Sequence, residues 1–454
     1  MKGGYVWLAC FAAFPLVGAP LLKHPAFRRF GFACRVALAG GAGMVIVSWT
    51  MTIFAVAGVR WGPSLLLVSA AIAFALRLAS SPSPLRGEGR GEGLNKPQTL
   101  IALAITAISI FAAFAATLAT RSTSLDLLLF WGPKAQQFAA ARTIDAAFLS
   151  APNLEYMHVY YPPLVTNVFA FGAMIVGRFP WGAATLTFPM LLTLTAVGLA
   201  GVLARSRRPA ALSTTALIVS ALSLLGIHAS VAGNAEPFLL FYETIALALL
   251  LTPAGRSSPG QLLAGLFLGG AAASKVEGLP FLAATVLLFF VVEPIARRSV
   301  GSTLARLLGP AVLSLGTWFV FGARHELFYG YRSYGRFFDV HWEHFSNVLS
   351  GLASALWNAG YGLPFLVPLV VLLATRGKTR RALLPLGVAA ALAGFFTFTY
   401  LHSAADPKVW IGWSAARIFS PLTVLFALAA HTPEPNDVAG EPSGSGSTRR
   451  ESPV

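Results

Sequence analysis

Two kinds of side chain in this sequence could do chemistry. His341 and His344, in the run Asp339-Val-His-Trp-Glu-His344, are zinc-ligand types three positions apart. Zinc normally takes three or four protein ligands. The sequence designates no third, so the run reads instead as a polar loop carrying the aromatics Tyr329, Tyr331, Tyr334 and Trp342. The second kind is a set of ionisable groups beside long apolar runs: Asp126, Glu236, Asp339 and Asp406, with His158, His228, His325 and His402. Charge kept so close to hydrocarbon is costly, which makes each a candidate for function. The plain alternative is a solvated loop residue.

The elements that must position these groups are apolar helices. Of the residues, 56% are hydrophobic and 11% charged, against about 25% charged in an ordinary soluble domain. Runs such as Thr99–Thr120, Trp181–Ala204 and Ala382–Tyr400 have the roughly 20 residues that cross a bilayer. Lipid offers no partner to an open strand, and the runs lack the alternation of a β-barrel. The predicted fold is therefore all-α, a polytopic membrane bundle of about 13 transmembrane helices with interfacial helices in the first large outer loop.

The net charge of +16 comes in short bursts between the apolar runs, not on one basic face, so nucleic acid is not the expected partner. Lys23, Arg28, Arg29 and Arg35 form one burst, and Arg77, Arg86, Arg90 and Lys96 a second. Others are Arg205, Arg207 and Arg208, then Arg297, Arg298 and Arg306, then Arg376, Lys378, Arg380 and Arg381, then Arg449 and Arg450. Such clusters mark the cytoplasmic side. Outside then lie 121–162, the turn around His228–Glu236, 324–361 and 401–411. Full crossing by Pro163–Gly177 would reverse the Arg205–Arg208 cluster, so that segment is expected to embed without crossing. Tyr5–Leu22 reads as an uncleaved span, and Cys10 and Cys34 give neither a disulfide framework nor a metal site. Residues 1–79 hold three additional helices, 80–98 a flexible loop, 99–430 the core and 431–454 a disordered tail.

In Ser122–Arg142, Asp126 sits just past a helix end, and Phe130, Trp131 and Phe138 predict an amphipathic helix along the interface. Lys134 and Arg142, eight positions apart, would share a face. Asp126 could also serve as the N-cap of that helix. After His158, the pair Pro162-Pro163 fixes a turn that opens the next helix.

Over roughly Thr99 to Ala430 these features resemble the C superfamily of membrane glycosyltransferases (GT-C), which includes protein mannosyltransferases and aminoarabinose transferases. The likeness rests on Asp126 and its interfacial helix, on Tyr161-Pro162-Pro163-Leu164, and on Gly233-Asn-Ala-Glu236-Pro-Phe. The glycine-rich run Ala264–Lys275-Val-Glu-Gly278 and Ala416-Arg417-Ile-Phe-Ser-Pro421 complete it. Two features depart from the family: Asp126 is a lone acid where a pair is usual, and no long soluble C-terminal domain follows.

The resemblance implies transfer of a sugar from a polyprenyl-phosphate carrier to an acceptor at the outer face of the cytoplasmic (inner) membrane. Asp126 would be the base and Glu236 would position the acceptor or help hold a divalent ion. Lys134, Lys275 and Arg417 would receive the leaving phosphate, with His158 and Tyr161 lining the site. No cofactor is designated. The expected partners are the lipid-linked donor and membrane lipid. A transporter or flippase of a lipid-linked precursor is the main alternative, and an inactive assembly protein with the same fold is a second.

Overall fold

A computed structural model describes residues 6–7, 9–28, 30–79, 96–120, 124–204, 208–295, 297–328, 339–357, 359–375, 380–402 and 406–431. The expected loop at 80–95, the tail from 432, Tyr329, Tyr331, Tyr334 and the basic positions Arg29, Arg86, Arg90, Arg205, Arg207, Arg376, Lys378, Arg449 and Arg450 lie outside the described residues. Among the described residues the chain is helical with no strand.

In chain order the helices are α1 (Ala13–Leu22), α2 (Phe32–Val56), α3 (Ser64–Ala79), α4 (Lys96–Thr120), α5 (Gly132–Ala141) and α6 (Leu164–Val176). There follow α7 (Thr187–Leu203), α8 (Arg208–His228), α9 (Glu236–Leu251), α10 (Ser258–Ser274), α11 (Gly278–Val292) and α12 (Val300–Arg324). The last are α13 (Phe345–Trp357), α14 (Ala359–Thr375), α15 (Leu383–Tyr400), α16 (Pro407–Ile418) and α17 (Ser420–His431). By length and composition, 7 helices among the described residues can cross a membrane, and several shorter apolar ones accompany them.

The outside of the bundle needs lipid. In α4 only 11% of the apolar window is buried, and Leu100, Ile108, Phe111 and Leu118 are each at least 60% exposed. A face of that size left in water would be an aggregation surface. Its other side packs on α8, where Ser223 donates to the Ser109 carbonyl at 2.8 Å.

The inside is organised around α2, whose window is 83% buried and which touches α1, α6, α7, α10 and α12. Contacts therefore cross from the N-terminal helices into the 99–430 core. Asn167 of α6 donates to the Ser48 carbonyl at 3.1 Å and to Thr52 Oγ1 at 3.3 Å, and Tyr242 of α9 donates to the Gly41 carbonyl at 3.0 Å. Close approach of α1 and α2 requires glycine, because a β-carbon on Gly43 would strike the Phe14 carbonyl and one on Gly18 the Ala39 carbonyl. Small residues allow this kind of contact between membrane helices, where apolar burial gives no drive.

The segment from Ser124 to Pro162 differs from expectation in two ways. The interfacial helix turns its aromatics inward: Trp131 and Phe138 are buried and α5 packs on α6, since the turn at Pro162-Pro163 brings α6 beneath it. Lys134 and Arg142 share no face, because Arg142 ends α5 in a left-handed conformation (φ 54°) and is exposed while Lys134 is buried.

Gly43→Ala should cost about 1–3 kcal/mol through overpacking. It should lower the thermal unfolding midpoint of the purified protein in detergent. Gly31→Ala, with open space at the added carbon, should leave that midpoint unchanged.

Candidate functional site

Four elements deliver charged groups to one place. Asp126 opens a short π-helical turn, Leu127–Trp131, but its side chain makes no capping bond. Ser124 does the capping: its hydroxyl accepts from the Leu127 amide at 3.1 Å and is also bonded to Asn234. The Asp126 carboxylate is thus free to reach Arg417, and Oδ2 accepts from NH1 at 2.8 Å. The Ser124–Asn234 bond ties this turn to the segment that presents Glu236. At Gly233 the backbone is left-handed (φ 91°) and a β-carbon would press on Leu127, so glycine is needed on both counts.

Glu236 begins α9, followed at once by Pro237, where a missing N–H costs nothing and the helix N-terminus favours a carboxylate. Its Oε1 meets Lys275 Nζ at 3.1 Å and Arg417 NH1 at 3.5 Å. Lys275 follows α10 in an extended conformation, and Nζ also meets Glu277 Oε1 at 2.7 Å. The break between α10 and α11 closes tightly because Gly278 lies against the Ala271 carbonyl. Arg417 stands near the end of α16, beside Ser414, whose hydroxyl is 2.8 Å from that of Tyr400.

The result is an ion-pair ladder, Asp126–Arg417–Glu236–Lys275–Glu277. Glu236 Oε2 and Glu277 Oε2 are buried without a hydrogen-bond partner, so the ladder retains free acceptors. Burial and the neighbouring Glu236 push the Asp126 carboxyl up, against the pull of Arg417 and Lys275. An apolar cavity adjoins, with Glu236 and Arg417 in its wall beside Phe188, Leu222, Leu225 and Phe241. At the far ends of α9 and α11, Glu293 pairs with Arg256 at 3.2 Å and Arg381 at 3.5 Å.

The remaining expected residues form a second group. Lys134 is 3% exposed, donates to the carbonyls of Met157 at 2.9 Å and His158 at 3.4 Å, and lies 4.6 Å from the Trp131 ring centre. Its ammonium holds the turn that carries His158 and makes no contact with a carboxylate among the described residues. His158 has positive φ (50°), stacks on Tyr161 at 4.8 Å and meets Phe130 edge-on at 4.9 Å. Burial, then the Lys134 and Lys275 charges, lower His158 to about 4. Burial alone lowers Lys134 to about 7.

Between Asp126 Oδ2 and Glu236 Oε1 a divalent ion does not fit, whereas Glu236 Oε2 keeps no hydrogen-bond partner. Both carboxylates already share the Arg417 guanidinium, and Lys275 holds the remaining side of Glu236 Oε1. An ion would have to displace a buried cation. Glu277, which completes the ladder, escapes a motif search although it stands two positions from Lys275. Tyr400 and Ser414 carry no sequence signal at all. Comparisons with protein-family models, with curated proteins and with solved structures find no match to this chain.

Lys134 gives a pH signature. Between about 7 and its ordinary value near 10.4 the unfolded chain binds a proton that the folded chain does not. Folded stability contributed by this residue therefore falls as pH drops across that window and is constant below it. The unfolding midpoint of Lys134→Met relative to wild type should rise as pH is lowered from 10 to 7 (about 3 units) and then level off.

Proposed function

We propose that the chain is a membrane glycosyltransferase that moves a sugar from a polyprenyl-phosphate carrier to an acceptor. The observation that carries this is the convergence of Asp126, Glu236, Lys275 and Arg417, far apart in the chain, into one ladder beside an apolar cavity. A lipid-linked anionic donor needs this combination: cations for its phosphate and an apolar space for its chain.

In the proposed reaction the acceptor O–H or N–H gives its proton to Asp126 as the new bond to the sugar forms. The bond between the sugar carbon and the phosphate oxygen breaks, and its electron pair leaves with the phosphate. Arg417 and Lys275 stabilise that charge. The raised proton affinity of Asp126 suits a base. Glu236 Oε2 orients the acceptor, while His158 and Tyr161 form an aromatic wall beside the ladder.

We read the ladder as lying at the extracytoplasmic face of the cytoplasmic membrane, since Arg256 and Arg381 gather at the opposite helix ends. Counting α1, α3, α9, α10, α11 and α14 as spans beside the 7 long helices, and α6 as non-crossing, gives about 13 crossings. Here α6 leaves and returns at one surface, because Tyr161 lies 5.9 Å from Trp131 and Trp181 abuts Gly132 next to it. The transporter reading has one observation of its own: Glu243, about two turns along α9 from Glu236 on the same face, is buried with Oε2 unpartnered, as a carrier's ion-coupling acid would be.

Envelope and lipid-linked glycans, profiled by mass spectrometry at matched expression, decide between them. Asp126→Asn should abolish one sugar addition and accumulate the polyprenyl-phosphate sugar. Profiles identical to wild type while a full deletion differs would remove Asp126 from the chemistry. For sidedness, cysteine at the exposed Ser150 should react with an impermeant thiol reagent from outside, and cysteine at Ser83 should not. The reverse pattern would overturn the orientation.

A further inference from the structure

We infer that the turn 341–344 is a binding site for a divalent transition metal of the zinc class, separate from the ion-pair ladder. The pair His341 and His344 lacks a third ligand in the sequence pattern, and the folded turn supplies one. Ligand atoms of His341, Glu343 and His344 all lie within 4.8 Å of one another.

The local backbone explains the convergence. Trp342–His344 is a 3-10 turn, in which residues three apart eclipse, so the His341 and His344 rings come together edge to face at 5.6 Å. The turn is held at two points. The His341 amide donates to the Leu401 carbonyl at 2.8 Å, and the His344 amide donates to the His341 carbonyl at 3.0 Å. Glu343 Oε1 lies 2.9 Å from His341 Nδ1, and both side chains are accessible, at 66% and 37% exposure. Trp342, which follows His341, is exposed.

Two imidazoles and one carboxylate form a donor set that zinc accepts in a tetrahedral shell with one position open to water. Magnesium and calcium prefer shells of oxygen and would be poor occupants. A zinc ion bound at about 2.1 Å to each ligand needs them roughly 3.4 Å apart. The side chains reach that spacing by rotating in solvent, with no change in helix packing. Glu343 either binds the ion directly or keeps its bond to Nδ1 and orients His341, and in both cases its loss weakens the site. The site stands whether or not the chain transfers sugars.

The test uses the full chain in detergent, with any affinity tag removed and after chelator treatment, titrated with zinc chloride and then desalted for elemental analysis. Wild type should retain stoichiometric zinc and no magnesium. The double variant His341→Ala, His344→Ala should retain none, and Glu343→Gln should bind about 10-fold to 100-fold more weakly. Wild type that retains no zinc would overturn the site, as would a double variant that retains as much as wild type. Since these side chains are on the surface, matched elution volume and unfolding midpoint establish that the variants are folded.

Discussion

One guanidinium serves two carboxylates. Arg417 is 2.8 Å from Asp126 and 3.5 Å from Glu236, and the ends of several helices are organised around that sharing. Charged groups withdrawn from water are costly unless paired or neutralised, and stripping one partner from a buried pair costs about 3–5 kcal/mol. The ladder therefore fixes where α9, α10, α11 and α16 can sit relative to the turn after α4. Three carboxylates face two cations along it, which leaves acceptor oxygens on Glu236 and Glu277 unpaired. A site with surplus buried acceptors is poised to bind something that donates.

Holding five charged groups in register demands backbone approaches that ordinary residues would block. Gly233 lets the Glu236 segment lie on Leu127, Gly278 lets α11 start against α10, and Gly18 and Gly43 let α1 dock on α2. Hydrogen bonds fix what small residues permit. Ser124 joins the turn after α4 to Asn234, and Asn167 and Tyr242 pin α6 and α9 to α2. Helix α2 is thus the internal support of the site although none of its side chains belongs to the ladder.

Lys134 shows how a charge type can serve structure. Its ammonium, buried under Trp131, bonds backbone carbonyls of the 157–158 turn and so orients His158 and Tyr161. The cost of burying it appears as a depressed proton affinity, down to about 7.

By itself the sequence determined the solvent and the type of element, because apolar runs of bilayer length with so little charge have one stable form. It also placed Asp126 just past a helix end, whereas Glu236, Lys275 and Arg417 were marked by the family resemblance and not by the apolar runs. Only the tertiary structure decided who pairs with whom: Asp126 and Arg417 are 291 positions apart, and no local pattern encodes a contact over that distance. Shorter contacts were hidden differently. Ser124 caps Leu127 and Glu277 pairs with Lys275, but Asp126 offers an equally good cap by type and a carboxylate beside a lysine looks like a solvated pair. Lys134 passed for a phosphate ligand because its partners are backbone carbonyls, which any residue supplies. The central place of α2 was hidden for another reason. A helix apolar on every side carries no periodicity to tell lipid from protein, so its neighbours, and not its residues, decide that it is buried.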